Sequence, residues 1–309
     1  MKAATVLVAG VALAASLASA RPAAAYVRYE SSGGKMFKWP QTCVQLETYP
    51  NDLLPMMSMA EILGAIDGAA SAWSHSGDPC TYLDIMVSSS TDSTPRATND
   101  GHNLVVFRSS TKWCKLTSEG ECDPMVIYDP AALALTSVSA STSSGIIRDA
   151  DIEVNASNFS WADLVAHPEL RGNGMSYHDL QNAVTHEMGH LIGLDHTCYF
   201  EGPAPLDADG NPIPDCASAS PDVLATTMFP SANPGDIDKR TLEPDDQKSV
   251  CDIYPADQDP KVCSPPGTTP PADEGCGSCA AAATPTPAAG LIALIAVVLM
   301  AVRARRRRS

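Results

Sequence analysis

Within eleven residues, His186 to His196, the segment HEMGHLIGLDH carries three imidazoles and, beside the first, the carboxylate of Glu187. A spacing of four puts His186 and His190 on one face of a helix, ~6 Å apart along its axis. Two ring nitrogens so placed can reach one divalent ion at ~2.0–2.1 Å each. Gly193 can end the helix in a left-handed conformation, so that the chain turns and brings His196 to the same ion. Three neutral nitrogen ligands leave a fourth position for water, the arrangement of a catalytic rather than a structural zinc site. Glu187, beside the first ligand, is placed to take that water's proton. The bare HExxH pattern is weak evidence, since a core helix with satisfied histidines explains it equally well. Requiring Gly193 and His196 as well makes a chance match roughly a thousandfold rarer.

Thirty residues beyond the last histidine, Thr226 to Pro230 read TTMFP. The two segments together resemble the metzincin zinc peptidases, which pair HExxHxxGxxH with a downstream methionine turn beneath the metal. Met228 matches that methionine, and a flexible thioether there would give the imidazoles an apolar floor. Within the group the chain is most similar to a matrixin. Thr197 follows the third histidine, where astacins carry Glu and the snake-venom type carries Asp. RTLEPDDQKSVCDIYP (Arg240 to Pro255) resembles the matrixin C-terminal helix, and ALALTSVSASTSSGIIRDADIEVN resembles the strand pair that borders the cleft. The resemblance spans Lys38 to Tyr254. It departs after Pro230, where Ser231 and Ala232 stand in place of an aromatic wall, and neither a cysteine-switch propeptide nor a second His-x-Asp zinc cluster is found.

This resemblance implies a fold and a chemistry. The fold is an α+β metzincin-like domain: a twisted, mainly parallel mixed sheet with an active-site helix and a C-terminal helix. The chemistry is zinc metalloendopeptidase hydrolysis of internal peptide bonds, with Zn2+ on His186, His190 and His196 and Glu187 as general base. The substrate is expected to lie extended beside an edge strand, with 146–155 the nearest candidate for that edge. Asp245 or Asp246 would tie the last helix to the methionine turn, or would simply favour the helix N-terminus.

The elements that must position these groups are legible in outline. A strand is predicted near Val44–Tyr49. Ser58 and Glu61 make a capping box, and Ile62, Ile66, Ala69 and Trp73 follow at helical spacing. Alternation predicts strands around Leu83–Val87, Leu104–Phe107, Met125–Tyr128 and Ile152–Val154. Asp179 can cap a zinc helix over Leu180–Leu191, and a last helix begins near Pro244. Asp207 to Asn211 hints at calcium, but its glycine falls too early for an EF-hand loop, so a polar turn is the simpler reading. His75, His102, His167 and His178 lack ligand-like partners in sequence.

Both ends carry addresses. Lys2, an apolar run from Ala3 to Leu17 and Ala18-Ser19-Ala20 read as a signal peptide over 1–20, with Ala23–Ala25 a second cleavage candidate. The catalytic domain is expected over 26–258, followed by a Pro/Ala-rich linker over 259–287 that contains GCGSC. An apolar helix over 288–302 would be roughly 22 Å long, short for a ~30 Å hydrocarbon core. The Arg-rich tail, 303–309, would hold that end in the cytoplasm. Cys motif, apolar helix and arginines together resemble a myxobacterial C-terminal sorting signal, with a permanent single-pass anchor as the alternative. Either way the body is exported, to the cell surface or beyond, and a monomer is expected.

The net charge of −16 falls to −21 without the five tail arginines. So acidic a body would repel nucleic acid and anionic lipid, leaving protein or peptide substrates as the expected partners. Of ten cysteines, Cys276 and Cys279 belong to the tail. The other eight are an even set in an exported chain and argue for disulfides; Cys114–Cys122 and Cys198–Cys216 are the expected short loops. Two other classes compete: a surface binding module on a decayed scaffold, and a structural protein stabilised by zinc. Retention of Glu187 beside all three histidines speaks against both.

Overall fold

β-Branched and alternating apolar segments supply the sheet, and two helices with one apolar stripe each cover it. The computed structural model describes residues 26–49, 54–90, 96–108, 113–117, 120–172 and 174–263, together with the backbone of 292–301. The signal peptide, the GCGSC segment and the Arg-rich tail lie outside the described residues.

The chain opens with β1 (Val27–Arg28) and β2 (Cys43–Thr48), then α1 (Met59–Trp73), β3 (Asp84–Ser89) and β4 (Leu104–Arg108). A small hairpin, β5 (Cys114–Leu116) and β6 (Cys122–Ile127), precedes the long pair β7 (Ala132–Ser141) and β8 (Ile147–Asn155). Short β9 (Ser160–Ala162) and β10 (Tyr177–Asp179) pair in parallel and lead directly into α2 (Leu180–Leu191). Then come β11 (Leu194–Asp195), α3 (Pro221–Ala225), β12 (Ser231–Ala232), α4 (Pro244–Ile253) and finally β13 (Ile292–Ala301).

The main sheet is mixed and seven-stranded, in the order β12-β13-β7-β8-β4-β2-β3. Pairings from β8 through β4 and β2 to β3 are parallel, whereas β7 runs antiparallel to both of its neighbours. The fold is therefore α+β with few helices. Ser58 and Glu61 form the capping box, and α1 buries Ile62, Ile66, Ala69 and Trp73 as the helical spacing predicts. Helices α1 and α2 pack on one another, α1 against β3 and α2 against β7 and β8.

All eight body cysteines are paired: Cys43–Cys263, Cys80–Cys251, Cys114–Cys122 and Cys198–Cys216. The two short loops match expectation. The two long ones could not be read from spacing, because they join segments 220 and 171 residues apart that meet only in the fold. Cys43–Cys263, with the Thr42 N–H donating to the Val262 carbonyl at 2.8 Å, carries the domain to Cys263 rather than 258.

Two further expectations need correction. The apolar helix expected over 288–302 is not found in its described part, where Ile292–Ala301 is a strand. Ile- and Val-rich sequence suits a strand, and the outer edge of β7 offers it a row of backbone partners. Among the described residues, no helix is long and apolar enough to cross a membrane. Second, 146–155 is not an edge: β8 lies inside the sheet between β7 and β4. The strand facing the histidine helix at the cleft is β7, whose far side is taken by β13.

Candidate metal centre

Helix α2 starts where Asp179 caps it, its Oδ1 accepting the Asn182 N–H at 2.8 Å. The same carboxylate takes both arms of Arg240, from Nε at 2.8 Å and Nη2 at 2.7 Å, a bidentate anchor for the helix start. Three long-range donors hold its other half. Trp73 Nε1 donates to the Thr185 carbonyl at 2.7 Å, Trp39 Nε1 to Leu191 at 2.9 Å and the Tyr254 hydroxyl to Ile192 at 2.8 Å. Gly193 then turns the chain at φ +101°, and a Cβ there would come 2.6 Å from the Phe37 carbonyl oxygen. Residues Val27–Arg28 pair with Leu194–Asp195 and clamp that turn just before His196.

The turn brings His186, His190 and His196 together. Nε2 of His190 stands 3.1 Å from Nε2 of His186 and 3.2 Å from Nε2 of His196. Two nitrogens on one tetrahedral ion at ~2.0–2.1 Å would stand ~3.3 Å apart, so the three rings fit a shared ion. Two of the rings are held from behind: His186 Nδ1 donates to the Thr227 carbonyl at 2.6 Å, and His190 Nδ1 to that of Leu194 at 2.8 Å. The Tyr29 hydroxyl also lies 3.1 Å from His190 Nδ1. Such bonds place the proton on Nδ1 and turn the Nε2 lone pair inward.

Burial keeps the rings neutral. It holds His190 at about 3, and His186 and His196 well below the ordinary imidazole range, with the charge of Lys239 pushing each the same way. The trio could thus hold a metal ion, and three imidazoles suit zinc, copper, iron or nickel. A second grouping, Asp78 with Cys80 and Cys251, offers no thiolates because the two cysteines are bonded to each other.

Glu187 is fully buried one residue along α2, and its Oε2 accepts the Thr136 hydroxyl at 2.6 Å. Thr136 projects from β7, so the sheet itself orients the carboxylate. Met228 is also fully buried, packed against Gly189 of the motif. Of the paired aspartates, Asp246 makes the tie: its Oδ2 accepts the Thr227 N–H at 2.8 Å and the Glu243 N–H at 3.1 Å. Burial pushes this carboxyl up to about 6.

The structure therefore brings every sequence-predicted site residue to one place. Sequence reasoning missed Thr136, Tyr29, Thr227, Lys239 and Arg240. Thr136 sat within the strand segment already compared with a cleft border, but its contact depends on how β7 packs on α2. Asp207 accepts the N–H groups of Asp209 at 3.0 Å and Asn211 at 2.8 Å, the expected polar turn. His75 bonds the Thr81 carbonyl at 2.7 Å, His167 meets Glu61, and His178 packs on Phe159 and Trp161. No family model matches the chain, and no curated protein matches it.

Proposed function

We propose that the chain is an exported, matrixin-like zinc metalloendopeptidase of the metzincin type. One observation carries the reading: three converging Nε2 atoms, those of His186 and His190 fixed from behind by backbone carbonyls, with a buried glutamate on the helix that carries these two. A site that only stabilised the fold would have no use for Glu187. The tie from Asp246 to the turn holding Met228 and the antiparallel pair β7–β8 support the matrixin-like form. Four disulfides suit an oxidising compartment.

When bound, zinc would supply Lewis acidity, activating a water and polarising the scissile carbonyl. Glu187 accepts the proton of the attacking water and returns it to the leaving amine. Thr136 holds the receiving carboxylate in place. The histidines bind as neutral rings, oriented by Thr227 and Leu194.

The substrate lies extended along β7. The chain's own β13 takes that position, antiparallel to β7 and parallel to β12 just beyond the methionine turn. On this reading β13 must withdraw before a substrate can pair there.

Purified, oxidised protein should contain about one equivalent of zinc and cleave casein or gelatin, with cleavage abolished by chelation and restored by zinc. His196→Ala should lose metal or activity. Material that binds no metal, or stays inert when loaded and freed of its C-terminal segment, would end this reading.

A further inference from the structure

We propose that Lys239 selects substrates with an aspartyl or glutamyl side chain beside the scissile bond, by offering that carboxylate a buried ammonium. The inference rests on the peptidase reading and names a substrate class for it.

A cavity of about 740 Å³ is lined by Asn182, Leu224, Phe229, Ser231, Lys239 and Thr241 among others. Its size admits any side chain with room to spare. Two of its walls belong to the metal centre. Asn182 sits one turn before His186 on α2, and Phe229 and Ser231 directly follow the turn whose Thr227 carbonyl holds the His186 ring. The small Ser231 stands where a bulkier wall is expected, which leaves room.

Lys239 is 6% exposed, and its Nζ donates to the Phe229 carbonyl. Among the described residues no carboxylate comes within 4.0 Å of Nζ. The acids whose charge reaches it, Asp246 first and then Glu187 and Asp236, each also serve another donor. Asp246 serves Thr227 and Glu243, Asp236 accepts from Asn233 at 2.6 Å, and Glu187 accepts from Thr136. Asp238 is exposed, and Glu243 stands at the N-cap of α4.

Buried charges are ordinarily paired, because desolvating a lone ammonium is costly. Burial accordingly pulls Lys239 down to about 7. The ammonium donates to the Phe229 carbonyl, but the turn around Lys239 has other anchors. Lys239 N–H already donates to Asn182 Oδ1 at 2.7 Å, and neighbouring Arg240 is bonded to Asp179 and Asp163. A methionine would fill the same space without the buried charge, at the loss of one donor to the Phe229 carbonyl. A cation kept short of a counter-charge, on the wall of a pocket beside the reacting centre, points to an anion that arrives with the substrate.

The test uses full-length protein and peptides blocked at both termini, so that no terminal carboxylate contributes. Glu, Asp, Gln, Asn or Leu is placed in turn at each position flanking the scissile bond. At one position, kcat/KM for Glu or Asp should exceed that for Gln or Asn by about tenfold or more, as expected for one charge-assisted hydrogen bond. In Lys239→Met the ratio should fall to near one, and Lys239→Arg should keep it above one. Calorimetry with the uncleaving Glu187→Ala variant should show the same acid-to-amide ratio in binding. A wild-type ratio near one at both positions, or a preference that survives in Lys239→Met, overturns the proposal. Cleavage of casein by the same protein decides the peptidase reading separately, so the two failures are told apart.

Discussion

Gly189 leaves room for Met228: a Cβ at Gly189 would lie 2.2 Å from the Met228 sulfur and 3.0 Å from Cζ2 of Trp73. One of the two free positions in the HExxH pattern is thus dictated by a residue some forty positions later. Gly189→Ala should overpack this contact and destabilise by ~1–3 kcal/mol, lowering Tm by several degrees, roughly 2–4 °C per kcal/mol for a domain of this size. Adding Met228→Ala should recover part of the loss in thermal unfolding, the coupling expected of residues in contact. An additive double variant would mean that the two do not press on each other.

Glu187→Ala should keep its metal, measured by atomic emission, while proteolysis falls by roughly 10²–10⁴, the usual worth of a general base. Cleavage at the wild-type rate would remove Glu187 from the chemistry.

Thr136→Val removes the hydroxyl that holds Glu187 and leaves the shape of β7 intact. A hydrogen bond to a charged group is worth about 1.5–3 kcal/mol, so kcat should drop about tenfold or more with KM and metal content unchanged. A change confined to KM would show that Thr136 acts on binding instead.

On β8, burial pushes Asp149 up to about 7; burial and the Asp149 charge push Asp151 well above the ordinary carboxylate range. The folded state therefore holds protons that the unfolded chain, with carboxyls near ~3.9, has released. Stability should fall as pH rises from about 4 through about 7. Asp151→Asn keeps an acceptor for the Leu104 N–H, which Asp151 Oδ1 takes at 3.0 Å, and removes the charge. Its Tm should rise by ~2–4 °C at pH 8 and change little at pH 4. An unchanged or lower Tm at pH 8 would contradict the assignment.

Because β13 pairs along β7 where an extended substrate would lie, releasing it should open the cleft. A specific protease site inserted between residues 264 and 291 allows the full chain to be cut after folding. Cutting should raise casein cleavage and increase hydrogen exchange at the amides of Ala132–Ser141. If those amides exchange at the same rate before and after the cut, β13 does not cover this edge in solution.

Much of the site was legible in the chain because it is local. The offsets of His186, His190, Gly193 and His196 fix helix face and turn through backbone geometry alone. Asp179 and Ser58 announce their helices through side-chain caps, and the short loops Cys114–Cys122 and Cys198–Cys216 close over few residues. The remainder depends on contacts between distant segments. Nothing local distinguishes Thr136 from other strand threonines until β7 lies on α2, or separates Asp246 from Asp245 until α4 meets the methionine turn. The apolar run near the C-terminus suits a helix or a strand by composition, and the open edge of β7 decides in favour of the strand. Lys239 is an ordinary lysine in sequence; only tertiary packing buries its ammonium, with no carboxylate within 4.0 Å among the described residues.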